Sequence, residues 1–97
     1  MFLEIVTPEA ILFSSEVDSL SVPGINGEFQ MLNNHAPVVS ILKKGIINIH
    51  VHTQEYLEFD QFSGHYETHL DDDKILTIAI DSGTIELNDN RAIILAD

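Results

Sequence analysis

Val22-Pro23-Gly24-Ile25-Asn26-Gly27-Glu28-Phe29, followed closely by Asn34-His35-Ala36-Pro37, is the stretch on which the reading of this chain depends. Its logic is geometric. Pro23 fixes one backbone angle, and Gly24 and Gly27 permit turns at positive φ that other residues resist. Pro37 pushes Ala36 into extended geometry. The expected result is a pair of stiff turns flanking a short strand over residues 28–32. Rigid loops on a scaffold are where binding function is commonly carried.

Outward from this stretch, the periodicity is that of strands. Ile47, Ile49 and Val51 alternate with Asn48, His50 and His52, and Leu76, Ile78 and Ile80 alternate with Ile75, Thr77 and Ala79. Ile85 and Leu87 alternate with Thr84, Glu86 and Asn88, and Ile93 and Leu95 with Ala92 and Ile94. A period of two with abundant β-branched residues marks pleated strands. Turn signals separate the runs at Thr7-Pro8, Pro23-Gly24, Lys44-Gly45, Ser63-Gly64, Ser82-Gly83 and Asn88-Asp89-Asn90. Many short strands at this spacing, with no amphipathic helix pattern beyond one turn, predict an all-β fold. The expected architecture is a flattened antiparallel β-sandwich or barrel. Residues 16–22 break strict alternation, which predicts a β-bulge there. The strand over residues 75–80 is apolar on both faces, which predicts cover on both.

Residues 53–73 differ in character. Leu57 and Phe59 alternate with Tyr56, Glu58 and Asp60, and Tyr66, Thr68 and Leu70 alternate with His65, Glu67 and His69. With Ser63-Gly64 between them, these runs predict an extra hairpin, closed by Asp71-Asp72-Asp73 as a solvated turn.

The chain has 97 residues, 44% of them hydrophobic, and nothing in its composition suggests a boundary; one domain over residues 1–97 is expected. A chain of this length buries roughly two thirds of its unfolded surface, enough for a core without staples. There is no cysteine, hence no disulfide framework. Four basic residues against sixteen acidic ones give a net charge of −12. Phosphate binding needs Lys and Arg to displace counterions, so nucleic acid is a poor partner, and anionic lipid heads are disfavoured likewise. A basic protein surface is what such a charge attracts. No apolar stretch approaches the ~20 residues of a membrane span, and the first residues do not read as a signal peptide. Membrane association is therefore expected to run through another protein.

Catalytic and metal chemistry find little support. His50 and His52 share a strand face, and His65 and His69 form a second pair, but zinc needs at least three converging ligands. Asp71 to Asp73 lack the glycine and later glutamate of a calcium loop. Ser14-Ser15 and Ser82 sit in no nucleophile motif. No metal, no cofactor and no catalytic residue is predicted.

In these motifs the chain resembles the epsilon subunit of bacterial F-type ATP synthases. The matching residues are Leu3-Glu4-Ile5-Val6-Thr7-Pro8, Leu12-Phe13-Ser14, Glu16-Val17 and Val22-Pro23-Gly24. They continue with Gly27-Glu28-Phe29, Leu32, Asn34-His35-Ala36-Pro37, Leu42-Lys43, Gly45 and Ile47, then Ser82-Gly83, Ile85-Glu86-Leu87, Asn90 and Ile94-Leu95-Ala96-Asp97. The resemblance implies a flattened sandwich of about ten strands. It implies a non-catalytic rotor subunit of the central stalk, linking the gamma subunit to the c-ring and transmitting torque for ATP synthesis. Its place would be the cytoplasmic face of the bacterial plasma (inner) membrane, held peripherally through the complex. Carried over residue by residue, Gly27, Glu28 and Phe29 are expected to face the c-ring, and Asn34 and His35 to lie near the ring and gamma. The helical hairpin that the resemblance associates with inhibition and, in some members, with nucleotide binding would follow Asp97. Neither property is expected of residues 1–97. Such relatives pass directly from the strand near Ile47 to that at residues 76–80, so the hairpin at 53–73 is an addition, expected to cover a sheet edge. A separate reading from the residues alone is a free-standing acidic β-sandwich that binds a small ligand or metal through its histidines. An enzyme using its abundant carboxylates ranks third.

Overall fold

The computed structural model describes residues 1–51, 66–68 and 75–97. Ten strands make up the described chain: β1 (Phe2–Val6), β2 (Ile11–Glu16), β3 (Ser19–Gly24), β4 (Gly27–Leu32), β5 (Val38–Leu42), β6 (Gly45–His50), β7 (Tyr66–Thr68), β8 (Ile75–Ile80), β9 (Gly83–Asn88) and β10 (Arg91–Ala96). No helix occurs among the described residues. The strands join in the order β2-β1-β10-β9-β5-β3-β6-β8-β7, with β4 paired to β3 beside that path. Pairing is antiparallel except between β1 and β10, which run parallel with Leu3 opposite Ala92 and Ile5 opposite Ile94. That one parallel pair brings the two ends of the described chain side by side, a long-range contact that turn signals do not encode.

The predicted alternation becomes the inner face of the sheet on β6, β8 and β9, while on β10 the opposite face from the predicted Ile93/Leu95 stripe is taken. Ile47, Ile49, Leu76, Ile78, Ile85 and Leu87 are almost wholly buried, in one cluster with Leu3, Ile5, Phe13 and Met31. Each such side chain contributes about 1.5–3 kcal/mol on leaving water. On β10 the buried face is Ala92, Ile94 and Ala96, while Leu95 is exposed.

Two further expectations change. Residues 16–22 hold a corner and not a bulge: β2 ends at Glu16, Val17 and Asp18 turn, and β3 begins at Ser19. Backbone bonds fix the corner, from Val17 N–H to Met1 O (2.8 Å) and from Asp18 N–H to His50 O (2.8 Å). Both Val17 and Leu20 are thereby buried, which is why the strand alternation breaks. The irregularity of pairing lies instead between β1 and β2, where the register shifts at Ile5/Val6. Cover on both faces of β8 also fails in part: Ala79 is exposed, although Ile75 is half-buried. Most of the hairpin expected at residues 53–73 lies outside the described residues. Its described part, β7, pairs antiparallel with β8, Tyr66 opposite Ile78 and Thr68 opposite Leu76, along the outer edge of that strand.

Candidate functional site

The expected contact residues fall into two groups at opposite ends of β4. Gly27 and Glu28 open the strand and are exposed. Asn34 and His35 lie beyond its last residue, Leu32, and are exposed as well. At about 3.3 Å per residue, Glu28 and Leu32 alone are about 13 Å apart. The five residues therefore form two separate surfaces.

Close packing builds the first end. Gly24 faces Gly27 across the β3–β4 pair, and a Cβ on Gly24 would lie 2.8 Å from Gly27 O and 2.8 Å from the Phe29 ring. Phe29 is half-buried against the core, so its ring braces the turn. Gly27 has φ 127°, open to glycine and strained for other residues. Pro23 is buried against Gly45, where a Cβ would come 2.7 Å from the proline ring. Lys43 N–H donates to Pro23 O (2.8 Å) and Ile25 N–H to Ile41 O (3.1 Å), tying this turn to β5.

Hydrogen bonds build the second end. Asn34 holds φ 65° and donates its N–H to Asn90 Oδ1 (2.8 Å). His35 N–H donates to Leu32 O (3.2 Å), and the amine of Met1 donates to Asn33 Oδ1. The His35 ring donates from Nδ1 to the Ala36 carbonyl oxygen (2.6 Å), which holds the ring against its own loop.

A third surface escaped sequence reasoning. Register sets Ile41 opposite Thr84, Thr84 opposite Leu95, Leu95 opposite Val6, and Val6 opposite Ile11. These residues form one row across β5, β9, β10, β1 and β2, about 20 Å long at the usual strand spacing. The row faces outward: Ile41 is 58% exposed, Leu95 52% and Ile11 50%, whereas their neighbours Leu42, Ile94 and Ala96 are buried. Val39, 79% exposed, starts the adjacent row on the same face, which runs through Glu86, Ile93 and Glu4 to Ser14. Farther along, the Arg91 guanidinium lies 5.5 Å from the centre of the Phe2 ring. Single exposed aliphatics are ordinary, but an aligned row of them edged by carboxylates has the composition of a protein-binding face. The signal was present in the sequence only as apolar residues on the second face of strands.

Histidine chemistry gains nothing here. His35 is exposed at one end of β4; His50 is half-buried on β6, its buried Nδ1 without a hydrogen-bond partner. His52, His65 and His69 lie outside the described residues. Among the described residues no three His, Asp or Glu side chains converge as metal ligands. A cleft of about 940 Å³ is lined by Thr7, Pro8, Leu12, Lys44, Ile46 and Asp81, among others, and by neither of the described histidines.

Comparison with known proteins agrees with this architecture. Residues 1–60 match the family described as ATP synthase, Delta/Epsilon chain, beta-sandwich domain. The chain is 34% identical over 95 residues to the ATP synthase epsilon chain of Campylobacter fetus subsp. fetus, covering 98% of this chain and 59% of that one. It is 36% identical over 97 residues to that of Campylobacter curvus, covering 100% of this chain and 60% of the relative. In three dimensions it is similar to a chain in the central stalk/c-ring of the Tetrahymena thermophila mitochondrial ATP synthase, with TM-score 0.68 and 15% identity over 99% of this chain and 62% of that one. The chain thus spans about three fifths of the length of these relatives. A sequence match over more than half its length, joined to the ten strands of the described residues, shows that the chain belongs to the ATP synthase delta/epsilon family, whose β-sandwich domain it carries.

Proposed function

We propose that this domain is a non-catalytic rotor component of a proton-translocating ATP synthase, coupling the gamma subunit to the c-ring and passing torque between them. The observation that carries the reading is the outward apolar row Ile41–Thr84–Leu95–Val6–Ile11 on a protein of net charge −12. Aliphatic side chains flanked by Glu4 and Glu86 suit a partner with an apolar centre and a basic margin, and we assign that partner as gamma. The Gly27–Glu28 end, stiff and presenting exposed Ile25, Asn26 and Glu28, then meets the polar loops of the c-ring, and the His35 loop meets the junction of ring and gamma. A coupler must not bend under load; two turns fixed by packing and by hydrogen bonds suit that need.

The described residues include no helix long and apolar enough to cross a membrane. We assign the domain a peripheral position on the cytoplasmic face of the bacterial plasma membrane, held by the complex. Neither nucleotide binding nor inhibition is assigned to residues 1–97. Calorimetric titration of the chain with its gamma subunit tests the reading. A one-to-one complex is expected, with on the order of 1,000 Å² or more buried. Two folded proteins that remain separate at high concentration would sink it.

A further inference from the structure

Asn90 sits where three distant segments meet. With Asp89 it forms the tight turn between β9 and β10, at φ 50° for Asp89 and 62° for Asn90. Two successive left-handed residues are what a two-residue hairpin of this twist demands. From that turn the Asn90 main-chain carbonyl accepts the N–H of Phe2 (3.0 Å) at the start of β1. Its side-chain Oδ1 reaches the other way and accepts the N–H of Asn34 (2.8 Å), a residue 56 positions distant. Asn34 is itself left-handed, at φ 65°, and directly precedes His35.

We propose that Asn90 is a positioning residue, holding the loop that carries His35 in the conformation its partner binds. This rests on the reading of that loop as a rotor contact. The position makes two demands together: tolerance of positive φ and a short side-chain acceptor. Glycine meets the first alone; most other residues meet neither; asparagine and aspartate meet both. The Asn34 N–H, once bound, fixes the loop from the β9–β10 side, while the Met1 amine on Asn33 holds it from the β1 side. A loop fixed before binding avoids the ordering cost of docking, and that is how a residue remote from the contact raises affinity.

Two variants separate the hairpin from the clamp. Asn90→Gly keeps a favourable turn and deletes the acceptor, whereas Asn90→Asp retains both. Amide exchange at Asn34, read by NMR, is expected to speed about tenfold in Asn90→Gly, with β9 and β10 amides unchanged. Affinity for the gamma subunit is expected to fall about five- to tenfold in the same variant, and Asn90→Asp to restore both within about twofold. Unchanged Asn34 exchange in Asn90→Gly would overturn the clamp. Faster exchange with unaltered affinity would overturn its role in positioning. If the unaltered chain fails to bind gamma, the rotor reading falls and the positioning role falls with it. The exchange measurement still decides whether the clamp exists.

Discussion

The two ends of β4 are both rigid, but for opposite reasons. At the Gly24–Gly27 end the stiffness is chiefly steric: there is no room for a Cβ on Gly24, and Pro23 closes on Gly45, with two backbone bonds, from Lys43 and to Ile41, in support. At the Asn34–His35 end the stiffness is a set of directed bonds, from Asn34 N–H to Asn90 Oδ1, from His35 N–H to Leu32 O and from the His35 ring to Ala36 O. The difference teaches which changes each end tolerates. A packed turn resists loss of small residues and is indifferent to polarity, whereas a bonded loop fails when one acceptor is removed.

The largest effect should come from Gly24→Ala. The new methyl meets both Gly27 O and the Phe29 ring at 2.8 Å, and the backbone oxygen cannot yield as a flexible side chain would. A loss of about 2–3 kcal/mol in urea unfolding is expected, typical of overpacking. A loss below about 0.5 kcal/mol would show that the turn has slack and break the steric half of the comparison.

Gly27→Ala should cost less, about 1–2 kcal/mol, and for a different reason. Its Cβ would meet nothing within 4 Å, so the whole penalty is the backbone angle of 127°. Asparagine should pay a similar penalty, since 127° lies well outside the left-handed region near 60° that asparagine tolerates.

At the other end, Asn34→Ala is expected to cost about 1 kcal/mol through its left-handed backbone, and Asn34→Gly almost nothing. The Asn34 bond to Asn90 is made by the main-chain N–H and survives both changes. Equal losses in the two variants would show that the Asn34 side chain matters in a way the geometry does not reveal. Small too for stability is Glu28→Lys, an exposed residue, expected within about 0.5 kcal/mol of the parent. In the assembled enzyme the same change should weaken coupling of proton flow to ATP synthesis. Loss of fold in the isolated domain would make Glu28 structural instead.

Much of the fold was legible because a period of two is a local property. Ile47/Ile49, Leu76/Ile78 and Ile85/Leu87 point inward as their alternation implies. The turn at Asp89 and Asn90 was equally readable, since few residues accept two positive φ angles in succession. Periodicity reports alternation but not which face wins. On β10 both faces are aliphatic, and the core takes Ala92, Ile94 and Ala96 because Ile94 pairs with Ile5 and Ile85, which face inward. Leu95 is left outside by the same register. The candidate loops and the short strand between them were readable from glycine, proline and asparagine, but the long-range bond that fixes Asn34 to Asn90 was not. Nor was the apolar row, whose members come from five strands and align only once long-range register is set. The corner at Val17 and Asp18 was misread for a related reason: the bond from Asp18 to His50 belongs to tertiary structure, and local alternation cannot distinguish a corner from a bulge.

The central claim is that the outward row, and not the cleft at the end of the sandwich, receives the gamma subunit. Leu95→Glu and Ala79→Glu test it side by side, because Leu95 lies at the middle of the row and the exposed Ala79 lines the cleft. Both variants should keep the parent's stability to within about 1 kcal/mol. The account predicts that Leu95→Glu weakens gamma binding about a hundredfold, as a charge buried at the centre of an interface should, while Ala79→Glu leaves it within about threefold. Full affinity in Leu95→Glu with loss in Ala79→Glu would contradict it and move the docking face to the cleft.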